Sequence, residues 1–155
     1  LAHYLALVVF WLAGDELTEF IERLNLRSEQ RKIIRGTYQI RAKKQAIVEA
    51  KKASELYRWL SSTTKDSRMV AWIGLRHEDE AVCRQLERFE VELRDVAPVI
   101  DGHYLKSEFN LKPDPIFRTI LDSLRDARLD GDVHTLDDER ALVRKILADQ
   151  DFAPE

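Results

Sequence analysis

The stretch "FNLKPDPIFRTILDSLRDARLDGDVHT", residues Phe109 to Thr135, decides how the chain is to be read. Asp114 offers an N-cap acceptor, and Pro115 takes the first helical position, where a missing N–H costs nothing. Ile116, Phe117, Ile120, Leu121 and Leu124 then recur at three- and four-residue spacing, while Arg118, Asp122, Arg125 and Asp126 occupy the other faces. That is one helix with one buried stripe. Gly131, after Leu129 and Asp130, is placed to take the left-handed conformation that closes the helix.

The same grammar runs through the whole chain. Leu1 to Ala13 is an apolar run that ends at Gly14-Asp15, and Leu17, Phe20, Ile21 and Leu24 share a face of the helix that follows. Ser28 is expected to cap a long helix through "EQRKIIRGTYQIRAKKQAIVEAKK", with Ile33, Ile34, Tyr38, Ile40, Ile47 and Val48 inward and a basic outer side. Gly36 costs that helix up to about 1 kcal/mol relative to Ala, which marks a bend or a close helix crossing. Ser54 is expected to cap "ASELYRWLSS", with Trp59 and Leu60 packing inward. Two further amphipathic helices follow in "DSRMVAWIGLRHE" and "DEAVCRQLERFEVELRDV", the second with Val82, Leu86, Phe89 and Leu93 in register. After a turn at Pro98 to Gly102 come "HYLKSEF", the opening stretch, and "ERALVRKILAD", the last introduced by Thr135 and Asp138 as an approximate capping box. The tail "QDFAPE" reads as frayed.

No strand-period alternation, internal repeat or low-complexity segment interrupts this pattern. A chain of 155 residues with 34% charged residues, 5 Gly and 4 Pro has the composition of a helix-rich protein with a real core. The expectation is an all-α, irregular multi-helix bundle of about seven to eight helices, with a boundary near 97–102. Residues 1–96 would form a body region and 97–155 a tail region, together one compact unit. The opening apolar run falls short of the ~18–20 residues that span a bilayer and lacks a basic flank, so it reads as a core helix rather than an anchor or signal sequence. Leu1 opens in mid-pattern without an initiator Met, which reads as a piece of a longer polypeptide. Cys83, the only cysteine, allows no internal disulfide and fits a reducing cytoplasm.

Catalytic signatures are missing. There is no Gly-rich phosphate loop, HExxH, GxSxG or paired-Cys motif. His3, His77, His103 and His134 are scattered, and Cys83 lies beside an apolar stripe, so no catalytic residue and no metal ligand is assigned. Asp130-Gly-Asp132 and Asp149-Gln-Asp151 have the spacing of paired Mg²⁺ carboxylates, but such ligands need a strand to bring i and i+2 to one face. Here the first pair ends a helix and the second lies in the tail.

The run from Asp101 to Leu147 resembles the C-terminal region of the class II tRNA nucleotidyltransferase and poly(A) polymerase family, the CCA-adding or A-adding enzymes. The chain reads "GHYLKSEFNLKPDP", "ILDSLRDARLDG" and "TLDDE" where that family carries G-x-x-L-K-x-x-G-L-K-P-G-P, I-L-x-x-L-x-x-A-x-L-D-G and T-x-x-x-E. "ASELYRWL" is a weaker echo of the helices that precede it. Aligned on Leu-Lys-Pro, with one residue more between Lys106 and Asn110 than the pattern has, two positions depart from it. Asn110 replaces a Gly, and Asn tolerates positive φ best after Gly. Asp114 replaces the Gly of Pro-Gly-Pro, which occupies helix-terminal N–H donors and adds a negative charge, so the borders look architectural rather than phosphate-binding. The resemblance implies a body and tail that position tRNA while an N-terminal head adds CCA or A to its 3′ end. The head would hold Mg and ATP or CTP; no cofactor is expected in this chain.

Charge fits that implication. Residues 1–77 carry 14 Lys/Arg against 8 Asp/Glu, whereas residues 78–155 carry 11 against 20. The positive excess gathers between Arg27 and Arg58, and the candidate RNA contacts are Arg31, Lys32, Arg35, Arg41, Lys43, Lys44, Lys51 and Lys52. A rival expectation is an RNA-independent module that docks on other domains of its parent chain or forms a homodimer, with no membrane partner. Charge placement separates the two: convergence on one exposed face favours RNA, whereas pairing with Asp and Glu of 78–155 favours docking.

Overall fold

A computed structural model describes residues 2–8, 10, 12, 14–111 and 115–151. Among these residues the chain is all-α, with ten α-helices and one π-helical turn and no strand. None of the helices is long and apolar enough to cross a membrane. Two compact units emerge: Leu1–Lys51 with Glu55–Arg94, and Lys52–Ser54 with Asp95–Glu155.

The first unit contains α1 (Ala2–Val8), α2 (Gly14–Arg23), α3 (Ser28–Ala42), α4 (Lys44–Glu49), most of α5 (Ala53–Leu60), α6 (Lys65–Leu75), α7 (Glu80–Arg88) and a π-helical turn (Phe89–Leu93). Its centre is the crossing of α3 on α6, the most extensive helix pair of the chain. Gly36 makes this crossing possible. A Cβ at Gly36 would lie 2.4 Å from Ser67 Oγ and 2.9 Å from Ser67 Cβ, distances no real side chain tolerates. Hydrogen bonds then tie the two backbones together. Thr37 Oγ1 donates to Ile33 O (2.8 Å) or Ser67 O (3.3 Å), and Ser67 Oγ donates to Ile33 O at 3.0 Å. Ile33 and Ile34 join Ala6, Leu17, Ile21, Leu26 and Val70 in a core around this crossing.

A buried arginine organises the other side. Arg68 Nε donates to Glu90 Oε1 at 2.6 Å, and its Nη1 reaches the carbonyls of Leu60 and Thr63 past the end of α5. Its guanidinium lies 4.7 Å from the Phe89 ring centroid. Glu90 belongs to the π-helical turn, which closes with Arg94 N donating to Phe89 O at 2.8 Å.

Several expectations change here. The helix expected over 28–52 is interrupted at Lys43 (φ −105°, ψ 11°), although no Gly or Pro lies between 37 and 52. Packing overrides propensity at this point: α4 turns onto α7, and Lys44 Nζ meets Asp79 Oδ2 at 3.6 Å. Ser28 is the first helical residue rather than the cap; Arg27 is the cap, its N–H donated to Gln30 Oε1 at 2.9 Å. Leu60 is buried as expected, but Trp59 is 40% exposed. Leu24 is likewise exposed, while Leu17 and Ile21 carry the buried face of α2. Val82, Leu86, Phe89 and Leu93 are all buried, in the register expected.

The second unit contains α8 (Gly102–Glu108), α9 (Ile116–Asp130) and α10 (Leu136–Asp151). Ile100, Leu105, Ile120, Leu124 and Val143 form its core, with Ile116, Phe117 and Leu121 packed at the margin. Asn110 adopts φ 52°, and Gly131 closes α9 at φ 77°. Thr135 and Asp138 form the reciprocal box: Asp138 N donates to Thr135 Oγ1 (3.2 Å) and Thr135 N to Asp138 Oδ2 (2.9 Å). Asp114, expected to cap α9, and the 152–155 end of the tail lie outside the described residues.

Gly36→Ala is expected to destabilise by about 1–3 kcal/mol through overpacking, despite a helix-propensity gain of up to about 1 kcal/mol. Pairing it with Ser67→Gly in a double-mutant cycle, read by denaturant unfolding, should show strong coupling, because Ser67→Gly removes both clashing atoms. Simple additivity would mean that the two helices do not touch at these residues.

Candidate nucleic-acid interface

The burial of Ile33, Ile34, Gly36, Thr37 and Ile40 fixes which side of α3 faces out. On that outer side, Arg27, Arg31, Arg35, Gln39 and Lys43 follow one another at four-residue steps, and all five are exposed. A four-residue step along an α-helix rises about 6 Å, so the row extends roughly 24 Å. Arg27, Arg31, Arg35 and Lys43 have no carboxylate partner among the described residues. Lys32 flanks the row and is paired locally with Glu29 (2.9 Å).

The eight candidate cations therefore separate. Arg31, Arg35 and Lys43 lie on the ridge. Arg41 turns the other way, donating to the carbonyls of Phe10 and Leu12 with its guanidinium 5.6 Å from the Phe10 ring centroid. Its charge ties down the segment after α1. Lys44 is held by Asp79, and Lys52 by Asp130 at 3.4 Å. Lys51 is exposed away from the ridge, its backbone N–H donated to Glu55 Oε2 at 3.0 Å. Sequence reasoning placed Arg27 in the basic segment but not among the candidate contacts, and did not find the i+4 order. The signal was present in the spacing 27, 31, 35, 39, 43, but it was masked by the denser clusters 43–44 and 51–52.

The end of the ridge carries an aromatic. Lys43, at the joint between α3 and α4, places its ammonium 5.3 Å from the centroid of the Trp59 ring. This is cation–π distance.

Catalytic machinery is a different matter. Among the described residues no group of three or more His, Cys, Asp or Glu is placed to hold a metal ion. An apolar groove of about 400 Å³ lies against Met69, Trp72, Leu86 and Val91, but its carboxylates are committed. Glu87 accepts from Trp72 Nε1 at 2.8 Å, and Glu90 holds Arg68. Cys83 is buried, and burial, followed by the nearby Glu87, Asp79 and Glu80, pushes its thiol above the ordinary range, away from nucleophilic thiolate.

In the second unit, the residues of the "ARLDG" and "TLDDE" segments have structural tasks. Glu139 is fully buried and accepts from Val99 N (3.0 Å), Ile100 N (2.7 Å) and Arg128 Nε. Asp130 accepts from both Ser54 N (2.9 Å) and Ser54 Oγ (2.8 Å). Ser54, expected to be a cap, is thus itself bound by one, and Asp130 does not face solvent as a metal ligand would. Burial raises the Asp130 carboxyl, but the two Ser54 hydrogen bonds and Lys52 outweigh it and hold it below the usual range. The Tyr104 N–H lowers Asp101, and the Thr135 N–H lowers Asp138.

No family model, no curated protein and no solved structure matches this chain. What the geometry defines is an all-α protein of two units. The first presents a cationic ridge ending at an indole, and the second is locked by buried and capped carboxylates.

The lowered carboxyls give stability a definite pH dependence. Their contribution is complete above the ordinary Asp pKa of about 3.9 and is lost as the pH falls through their lower folded values. Asp130→Asn should therefore lower stability at pH 7 and flatten the acid limb below about pH 4. Denaturant unfolding across that range checks it; an acid limb as steep as that of the unsubstituted chain would remove Asp130 as a contributor.

Proposed function

We propose that this chain is the tRNA-holding helical part of a tRNA nucleotidyltransferase, acting in the addition of CCA or A to the tRNA 3′ end. The observation that carries the reading is the ridge Arg27, Arg31, Arg35 and Lys43: four exposed cations winding over the outer side of α3, two of them at its caps, while the opposite side is anchored in the core. Cations spaced along a rigid surface suit the phosphate backbone of an RNA duplex, which offers shape and charge rather than readable base edges.

The enzyme class is suggested by the 101–139 pattern, and its departures are compatible with that class. Asn110 supplies the positive φ where the family pattern has Gly, and Gly131 closes α9 at the Gly of the "LDG" segment. The two clearly motif-like carboxylates, Asp130 and Glu139, serve the scaffold. Nucleotide transfer, with its Mg and ATP or CTP, would then belong to a head domain of the parent chain, and this chain alone should extend no tRNA.

Salt-dependent binding tests the RNA role. Unfractionated tRNA, titrated by fluorescence anisotropy at several low salt concentrations, should bind with a log–log salt slope set by the phosphates neutralised. Arg27→Gln/Arg31→Gln/Arg35→Gln should reduce that slope by roughly two to three and leave helix content unchanged, since Gln is nearly as good a helix former. Lys44→Gln/Lys52→Gln should change it little, because those ammoniums already face Asp79 and Asp130. Equal affinity of the unsubstituted chain and the triple variant would transfer the preference to a docking or dimerisation module.

A further inference from the structure

We propose that Trp59 is a stacking contact for an unpaired nucleotide, so that the RNA held by this chain passes from duplex to single strand at the Lys43 end of the α3 ridge. The inference rests on the ridge being an RNA surface and adds what kind of RNA the ridge delivers.

Trp59 is a partly exposed aromatic on a helix whose neighbouring apolar residues are buried. Leu56 and Leu60, its neighbours on α5, are 1% and 0% exposed, whereas the indole is 40% exposed. Its Nε1 donates to nothing among the described residues, unlike Trp72 Nε1, which is bound by Glu87. An indole left partly in water forgoes part of the largest hydrophobic gain a side chain can make. Over its ring stands a cation: Lys43 Nζ, 5.3 Å from the ring centroid and the last rung of the ridge.

An indole with an ammonium over one face matches one nucleotide in two places once the flexible lysine stem swings off the ring. The ring stacks on the base, which every base permits because each has a π-face, and the ammonium takes the adjoining phosphate. A base inside a duplex is already stacked on both sides and cannot do this, so the partner at Trp59 must be unpaired. A protein partner would also welcome an exposed Trp, but the segment 27–58 carries ten Lys/Arg against three Glu, which favours a polyanion.

Three RNA probes test it: a blunt duplex, the same duplex with four unpaired nucleotides at its 3′ end, and the same with four at its 5′ end. The unsubstituted chain should bind at least one extended probe more tightly than the blunt one, by about five- to a hundredfold, the range that stacking of one base supplies. Trp59→Ala should erase that increment while leaving blunt-duplex affinity and salt slope unchanged, and Trp59→Phe should keep part of it. In a Trp11→Phe/Trp72→Phe background, Trp59 emission should be quenched by the preferred extended probe and not by the blunt one. If Trp59→Ala behaves as the unsubstituted chain on all three probes, or weakens all three equally, stacking is overturned; sensitivity of blunt-duplex binding to Arg27→Gln/Arg31→Gln/Arg35→Gln would show that the ridge survives. If the unsubstituted chain binds none of the probes, the ridge reading falls and the stacking contact falls with it.

Discussion

The crossing of α3 on α6 at Gly36 and Ser67 is the constraint on which the first unit depends. Two helices approach so closely only where one offers no side chain, and the missing Cβ at Gly36 lets Ser67 and Thr37 bond directly to backbone carbonyls across the gap. A glycine inside a helix is a poor choice for the helix alone. It is tolerated because the close approach exchanges propensity for interhelical packing and hydrogen bonds. The crossing also fixes the rotation of α3 about its own axis. With Ile33, Ile34, Gly36, Thr37 and Ile40 turned inward, Arg27, Arg31, Arg35 and Lys43 have nowhere to point but outward.

The second unit is held by a different device. Glu139 is a carboxylate without solvent, a costly arrangement unless its lone pairs are filled. They are filled by two backbone N–H groups, at Val99 and Ile100, and by the Arg128 guanidinium. One side chain thereby joins the segment before α8, the last turn of α9 and the first turn of α10. Removing any one partner would leave a buried charge or polar group without its hydrogen bond, which is why such a network must be satisfied as a whole. This explains why the most motif-like segments of the sequence contain Asp and Glu yet have no metal site among the described residues.

Legibility in the sequence followed the length scale of the physics. Local signals were readable: the Gly131 stop, the Thr135 and Asp138 box, the register of Val82, Leu86, Phe89 and Leu93, and Gly36 as a crossing point. Features set by tertiary contact were not. The interruption at Lys43 has no local breaker and follows from α4 turning onto α7. Ser54 looked like a cap because Ser usually is one, but its partner Asp130 lies far along the chain. Trp59 was assigned inward by hydropathy alone, although Leu56 and Leu60 already fill the inward positions of α5. For the candidate interface, counting cations does not show how each is placed: Lys44 and Lys52 are paired with Asp79 and Asp130, and Arg41 with backbone carbonyls.

That redistribution bears on how stability and binding are related in this chain. Arg41 is bound to the Phe10 and Leu12 carbonyls and belongs to the fold, whereas Lys44 and Lys52 are exposed and paired with Asp79 and Asp130, carboxylates that also accept from Val82 N and from Ser54. Cations of the ridge touch no carboxylate among the described residues and contribute little to the fold beyond their helix propensity. The two sets are interleaved in sequence, yet they are separate in energy. A helix so divided, with one side that holds the core and an outer side whose contacts include the Lys32–Glu29 pair and Lys43 over the Trp59 ring, keeps its charged surface in place independently of the core. A surface held in place by the core in this way is preorganised, and preorganisation is what reduces the cost of any association.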